Sequence, residues 1–98
     1  MKPKTLTNIL PGEILQEGLL LPMNASQNAL ARAVSVPPRR INEIVLGKRG
    51  VTTDTTLRLA KVFGTSEWFW LGLQADCDLE KSRHAIGADL AGIERVAA

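Results

Sequence analysis

The chain has 98 residues, 45% of them hydrophobic and 22% charged, with a formal net charge of +2. That size and balance suit one folded domain around one small core and exclude an intrinsically disordered chain. A single cysteine, Cys77, rules out an intramolecular disulfide and a cysteine-based zinc site, and no apolar run approaches the roughly 18 residues that cross a bilayer. The opening MKPKTLTNILPGE lacks the unbroken apolar core of a signal peptide, so a cytoplasmic location is expected.

Residues 1–10 read as an irregular N-terminal arm that Pro11 ends. Pro11-Gly12-Glu13 opens a first helix, with proline at its start and an acid where the helix dipole favours one. Ile14, Leu15, Leu19 and Leu20 give its buried stripe, and Pro22 ends it. Ser26 caps a second helix that runs to about Val34. Pro37-Pro38 cannot lie inside a helix, but one proline suits a first helical position, so a third helix is expected from Pro38 to Leu46, stopped by Gly47. Lys48 to Val51 form a loop. Thr52 caps a fourth helix with Asp54 in its first turn, apolar positions at Leu57, Leu59, Ala60, Val62 and Phe63, and Gly64 at its end. Ser66 caps a fifth, from Glu67 to about Ser82. Residues 84–98 carry Ile86, Leu90 and Ile93 at helical spacing, broken by Gly87 and Gly92, and read as a frayed or disordered C-terminal tail. No alternating strand pattern of useful length occurs. The expected fold is all-α, with a domain over 11–83.

The charge is not spread evenly. Between Arg32 and Arg49 lie five basic residues and one acid, Glu43, a local balance of +4, while the rest of the chain sums to −2. One basic segment on a slightly acidic body suggests an oriented docking face. Within it, residues 26–46 form two short helices joined by a tight turn. Leu30, Ala31, Val34, Val36, Ile41 and Ile44 face inward and Arg39, Arg40, Asn42 and Glu43 face out. A short helix held by its apolar side and presenting arginines and an asparagine near its N-terminus is built to enter a DNA major groove. Arg39 and Arg40 can bridge guanine O6 and N7, Asn42 suits adenine or a phosphate, and Glu43 is either a reader of the cytosine amino group or a plain surface acid. Gln27 and Asn28, opening the second helix, grip a phosphate or serve as capping residues. Lys48 and Arg49, in the loop behind the third helix, are expected to contact the DNA backbone.

The segment resembles the helix-turn-helix of phage-repressor-like regulators of the xenobiotic-response-element (XRE) type, with Gln27, Ala31, Ile41 and Ile44 at that motif's characteristic places. Ser35 stands where the family most often has glycine. Further blocks narrow the resemblance: Pro11-Gly12-Glu13-Ile14-Leu15, Ser26-Gln27-Asn28-Ala29-Leu30-Ala31, Arg40-Ile41-Asn42-Glu43-Ile44, Gly47-Lys48-Arg49-Gly50, Leu57-Arg58-Leu59-Ala60, and Phe69-Trp70-Leu71 with Leu73-Gln74. Together they look like the HigA/VapI antitoxin family over about Pro11 to Leu79. Trp68, Gly72 and Cys77 depart from that pattern, where a carboxylate, an asparagine and an aromatic are usual. The resemblance implies a five-helix phage-repressor-like domain, a homodimer on a palindromic operator in double-stranded DNA, repression of its own toxin–antitoxin operon, and neutralisation of an RNA-cleaving HigB-type toxin. A solitary phage-like repressor, or a toxin-binding module with vestigial DNA binding, stays open as an alternative.

Trp68, Phe69 and Trp70 occupy consecutive positions about 100° apart on a helix, so all three cannot enter one core. Phe69 and Trp70 are expected in the core. Trp68 is the candidate for a dimer seam, with Cys77 and Leu79 near it, because an exposed indole invites burial by a partner. The acids Glu13, Glu17, Asp76, Asp78 and Glu80 could steer a basic toxin or simply solubilise the surface. No carboxylate pair, Ser/His/Asp set or phosphate-cradling glycine loop is present, and no second ligand accompanies His84 or Cys77. Neither an enzyme, a cofactor nor a metal site is expected.

Overall fold

The computed structural model describes residues 9–97; most of the arm expected over 1–10 lies outside the described residues. Among the described residues the fold is all-α. One α-helical turn, Pro11–Glu13 (α1), passes directly into a π-helix over Ile14–Leu20, where an ordinary α-helix is expected from the sequence. A π-helix bonds residue i to i+5 and so brings residues five apart onto one face. Leu15 and Leu20 are that pair, and both are fully buried.

Four α-helices follow: α2 (Gln27–Val34), α3 (Pro38–Val45), α4 (Thr53–Phe63) and α5 (Glu67–Ala91). Each of the three expected caps forms. Ser26 Oγ accepts from the Ala29 N–H at 3.0 Å, Thr52 Oγ1 from Thr55 at 3.3 Å, and Ser66 Oγ from Phe69 at 3.1 Å. Pro37 is extended and Pro38 takes the first helical position, so the missing proline N–H costs α3 nothing. Ser35 closes α2 in the left-handed conformation, φ 60° and ψ 48°.

The core joins Leu15 and Leu20 to Leu30, Ala31, Ile41, Ile44, Leu59 and Trp70. Ala31, Ile41 and Ile44 seat α2 against α3. Trp70 is fully buried and donates from Nε1 to Thr65 Oγ1 at 2.8 Å, which satisfies the one polar atom it brings inside. Against the core, α1 meets α3 backbone to backbone. A methyl group on Gly12 would overlap the Ile44 carbonyl and crowd the Val45 Cα, so only glycine fits.

Three expectations are corrected. Phe69 does not enter the core; it stays 41% exposed and packs edge-on against Trp70, with centroids 5.1 Å apart. Leu57 and Val62 lie outside as well, because α4 turns Thr55, Thr56, Leu59 and Ala60 inward instead. Finally, α5 does not stop near Ser82. It continues to Ala91 through a kink at Ile86 (φ −117°, ψ 21°), taking in much of the segment read as a tail.

Candidate nucleic-acid interface

The recognition candidate is α3, whose two faces are set by the same eight residues. Ile41 and Ile44 are buried, which turns Arg39 and Asn42 outward. The Arg39 side chain is 85% exposed, whereas that of Arg40 is 31% exposed and leans toward Asp54, with Nη1 3.6 Å from Oδ1. Asn42 donates from Nδ2 to Gln27 Oε1 at 3.2 Å, and Gln27 donates from Nε2 to Gln16 Oε1 at 3.3 Å. A relay of three amides thus runs from the first helix through α2 to α3. It orients the Asn42 amide, with Oδ1 and one N–H not needed by Gln27. Asn28 is exposed beside Gln27 at the start of α2.

Glu43 is bonded more densely than its neighbours. Oε2 accepts from Arg39 Nε at 2.9 Å, and Oε1 accepts from Arg49 Nε at 2.9 Å with Arg49 Nη2 also at 2.9 Å. Its carbonyl accepts from the N–H groups of Lys48 and Arg49, at 2.8 and 3.2 Å. The bonds from Arg39 first, then Arg49, hold the Glu43 carboxyl below its ordinary range. Lys48 is exposed in the same loop. Behind that loop, Gln74 of α5 accepts from the Val51 N–H at 2.8 Å and packs against Gly50, which fixes where the loop leaves α3.

Two supports escape the sequence reading. Gln74 is one. Arg58 is the other: Nη1 donates to the Val34 carbonyl at 2.6 Å and Nε donates to Asp54 Oδ1 at 2.7 Å. It therefore caps the C-terminus of α2 from α4, and the same bond from Arg58 lowers the Asp54 pKa. Only the four-residue spacing of Asp54 and Arg58 was available as a signal.

The seam candidates separate. Trp68 is 76% exposed and Leu79 is half exposed. Cys77, expected beside them, is buried within its own chain: Sγ lies 3.6 Å from the Ile9 carbonyl, and desolvation, then Asp78, Glu80 and Asp76, raise the thiol pKa. It has little surface left to offer a partner. A groove of about 800 Å³ between α2 and α4, lined by Val34, Ser35, Leu57, Ala60 and Val62 among others, holds none of the expected DNA-contacting residues. Among the described residues there is no cluster of His, Cys, Asp and Glu able to hold a metal ion, and no helix long and apolar enough to cross a membrane.

Residues 19–68 match the helix-turn-helix family. Virulence-associated protein I of Dichelobacter nodosus is 53% identical over 72 residues, covering 74% of this chain and 67% of the relative. The antitoxin HigA of Pseudomonas aeruginosa, solved with the higBA promoter, superposes with a TM-score of 0.86 at 37% identity, over 92% of this chain and 99% of that one. The chain belongs to the HigA-type antitoxin family of helix-turn-helix proteins. A second structure, the antitoxin GraA in complex with its operator, gives a TM-score of 0.86 at 35% identity and spans 100% of this chain and 99% of its own. The family likeness thus extends well beyond α2 and α3, and takes in the long α5.

Proposed function

We propose that this chain is a non-catalytic, cytoplasmic antitoxin. It binds a palindromic operator as a homodimer, represses its own toxin–antitoxin operon and neutralises an RNA-cleaving HigB-type toxin. The observation that carries this reading is the presentation of α3: its apolar face is locked in the core while Arg39 and Asn42 stand outward near its N-terminus. The promoter complex of the antitoxin HigA and the operator complex of the antitoxin GraA, both of which share the fold over nearly its whole length, support it.

In this reading Arg39, Arg40 and Asn42 meet base edges. Asn42, braced by Gln27, offers Oδ1 and its second N–H to an adenine. Gln27 and Asn28 at the start of α2, and Lys48 and Arg49 beyond α3, meet phosphates on either side. Two such units related by a dyad would reach major grooves about 34 Å apart.

Titration of Arg40→Ala and Lys48→Ala on the DNA upstream of the gene and on a random duplex tests the assignment. Arg40→Ala is expected to cost about 1–3 kcal/mol on the specific site alone. Lys48→Ala should weaken binding to both duplexes and flatten the salt dependence by about one unit of slope. Equal losses on both duplexes for both variants would defeat it. Co-expression with the neighbouring small gene tests the toxin: a co-purifying, neutralised ribonuclease is expected.

A further inference from the structure

The reading of Glu43 as a base-contacting residue does not fit its surroundings. Both carboxylate oxygens are occupied by guanidinium groups at 2.9 Å, one from the helix and one from the loop that follows it. Its side chain is 22% exposed and lies beneath an Arg39 that is 85% exposed. To reach a cytosine, Glu43 would have to break two charge-assisted bonds and leave two arginines without their partner.

We propose, on the functional reading above, that Glu43 is a positioning residue for DNA recognition: it holds Arg39 and Arg49 by their Nε edges so that both present their outer ends at set places. An arginine carries five N–H donors, and the bond from Arg39 to Glu43 engages Nε; the terminal nitrogens carry the donors that face a guanine edge or a phosphate. An exposed arginine without such a tether samples many rotamers and must be ordered on binding, which lowers affinity. With the tether, much of that ordering is already done in the free protein. The same residue also fixes the main chain, since its carbonyl receives the Lys48 and Arg49 N–H groups and so registers the loop against the end of α3.

The carboxylate has a second effect. It places one negative charge between two positive ones at the point where phosphates approach, so attraction to DNA of any sequence is reduced. Glu43 therefore raises discrimination twice, by aiming the arginines at the right site and by weakening their pull toward the wrong ones.

The test compares the full-length protein with Glu43→Gln, which keeps shape and removes charge. Binding is measured on the upstream DNA fragment and on a random duplex of equal length, over a range of salt. The variant is expected to bind random DNA as tightly as the parent or tighter, with a salt slope at least as steep, while its preference for the upstream fragment falls about tenfold. A preference kept within about twofold, or equal losses on both duplexes, would overturn the proposal. Nitrogen-15 spectra of the DNA-free proteins provide a separate arm. The Arg39 and Arg49 Nε–H signals should be protected from exchange in the parent and lost in Glu43→Gln; unprotected signals in the parent would also overturn it. A parent that prefers neither duplex yet keeps both protected signals would refute the functional reading and leave the tether demonstrated.

Discussion

Ser35 sits at the end of α2 with φ 60° and ψ 48°, a conformation that a residue with a Cβ adopts at a cost and glycine adopts freely. The serine therefore carries backbone strain that a glycine at this place would not. Ser35→Gly is expected to stabilise the fold by about 0.5–1 kcal/mol, seen as a higher urea midpoint with an unchanged slope. A lower midpoint would mean that the greater freedom of glycine in the unfolded chain outweighs the relief. Glu43 and Asp54 behave differently, because arginine partners depress both carboxyls. The sign follows: their ion pairs are intact above the ordinary carboxylate range and come apart as pH falls through the lowered values, so the arginine arrangement is complete at neutral pH.

The helices were legible in the sequence wherever their causes are local. Ser26, Thr52 and Ser66 each bond an N–H three residues on, so the cap and its partner appear side by side in the chain. The π-helix was not legible, since Ile14, Leu15, Leu19 and Leu20 suit an α-helical stripe equally well and only packing selects the i+5 pair. In α4 apolar residues occur on nearly every side, and contacts with α2 and α5 decide which are buried. Tertiary choice of this kind also sends Trp70 inward and leaves Phe69 at the edge. Arg58 shows what non-local bonding contributes at this scale. It ties α4 to the last turn of α2 and so holds the scaffold on which α3 rests. Arg58→Ala should cost about 1–2 kcal/mol in chemical denaturation, as a half-buried carbonyl loses a charged donor. Arg58→Lys should recover only part, because one ammonium cannot span both Val34 and Asp54. Full recovery by lysine would reduce the role to charge alone.

As a whole the molecule is drawn out. Its radius of gyration is 16.3 Å, against about 13 Å for a compact chain of this length, and its extents are 52 × 36 × 21 Å. The cause is α5, whose residues from Lys81 onward are all exposed. The candidate DNA-facing side was legible as a cluster of basic residues, yet Arg49 joins Glu43 only when the loop folds back, which spacing alone does not reveal. At this scale the residue to test for assembly is Trp68. With 76% of its surface exposed, it is the candidate for the seam that brings two recognition helices onto one operator. Sedimentation at micromolar concentration should give a dimer for the parent and a marked shift toward monomer for Trp68→Ala. An undisturbed dimer would take Trp68 out of the seam, and a monomeric parent would remove the symmetric arrangement altogether.

The contact between Gly12 and the Ile44 carbonyl bears on how this protein can change. Where two helices touch through side chains, a larger residue on one is answered by a smaller one on the other, and their angle drifts as the core is rewritten. Here main chain lies on main chain, with no side chain between to be exchanged. The tilt of α3 is thereby tied to the chain's own first helix, so under the proposed function substitutions at Arg39, Arg40 and Asn42 can alter the operator preference while the angle at which these side chains are offered stays inherited.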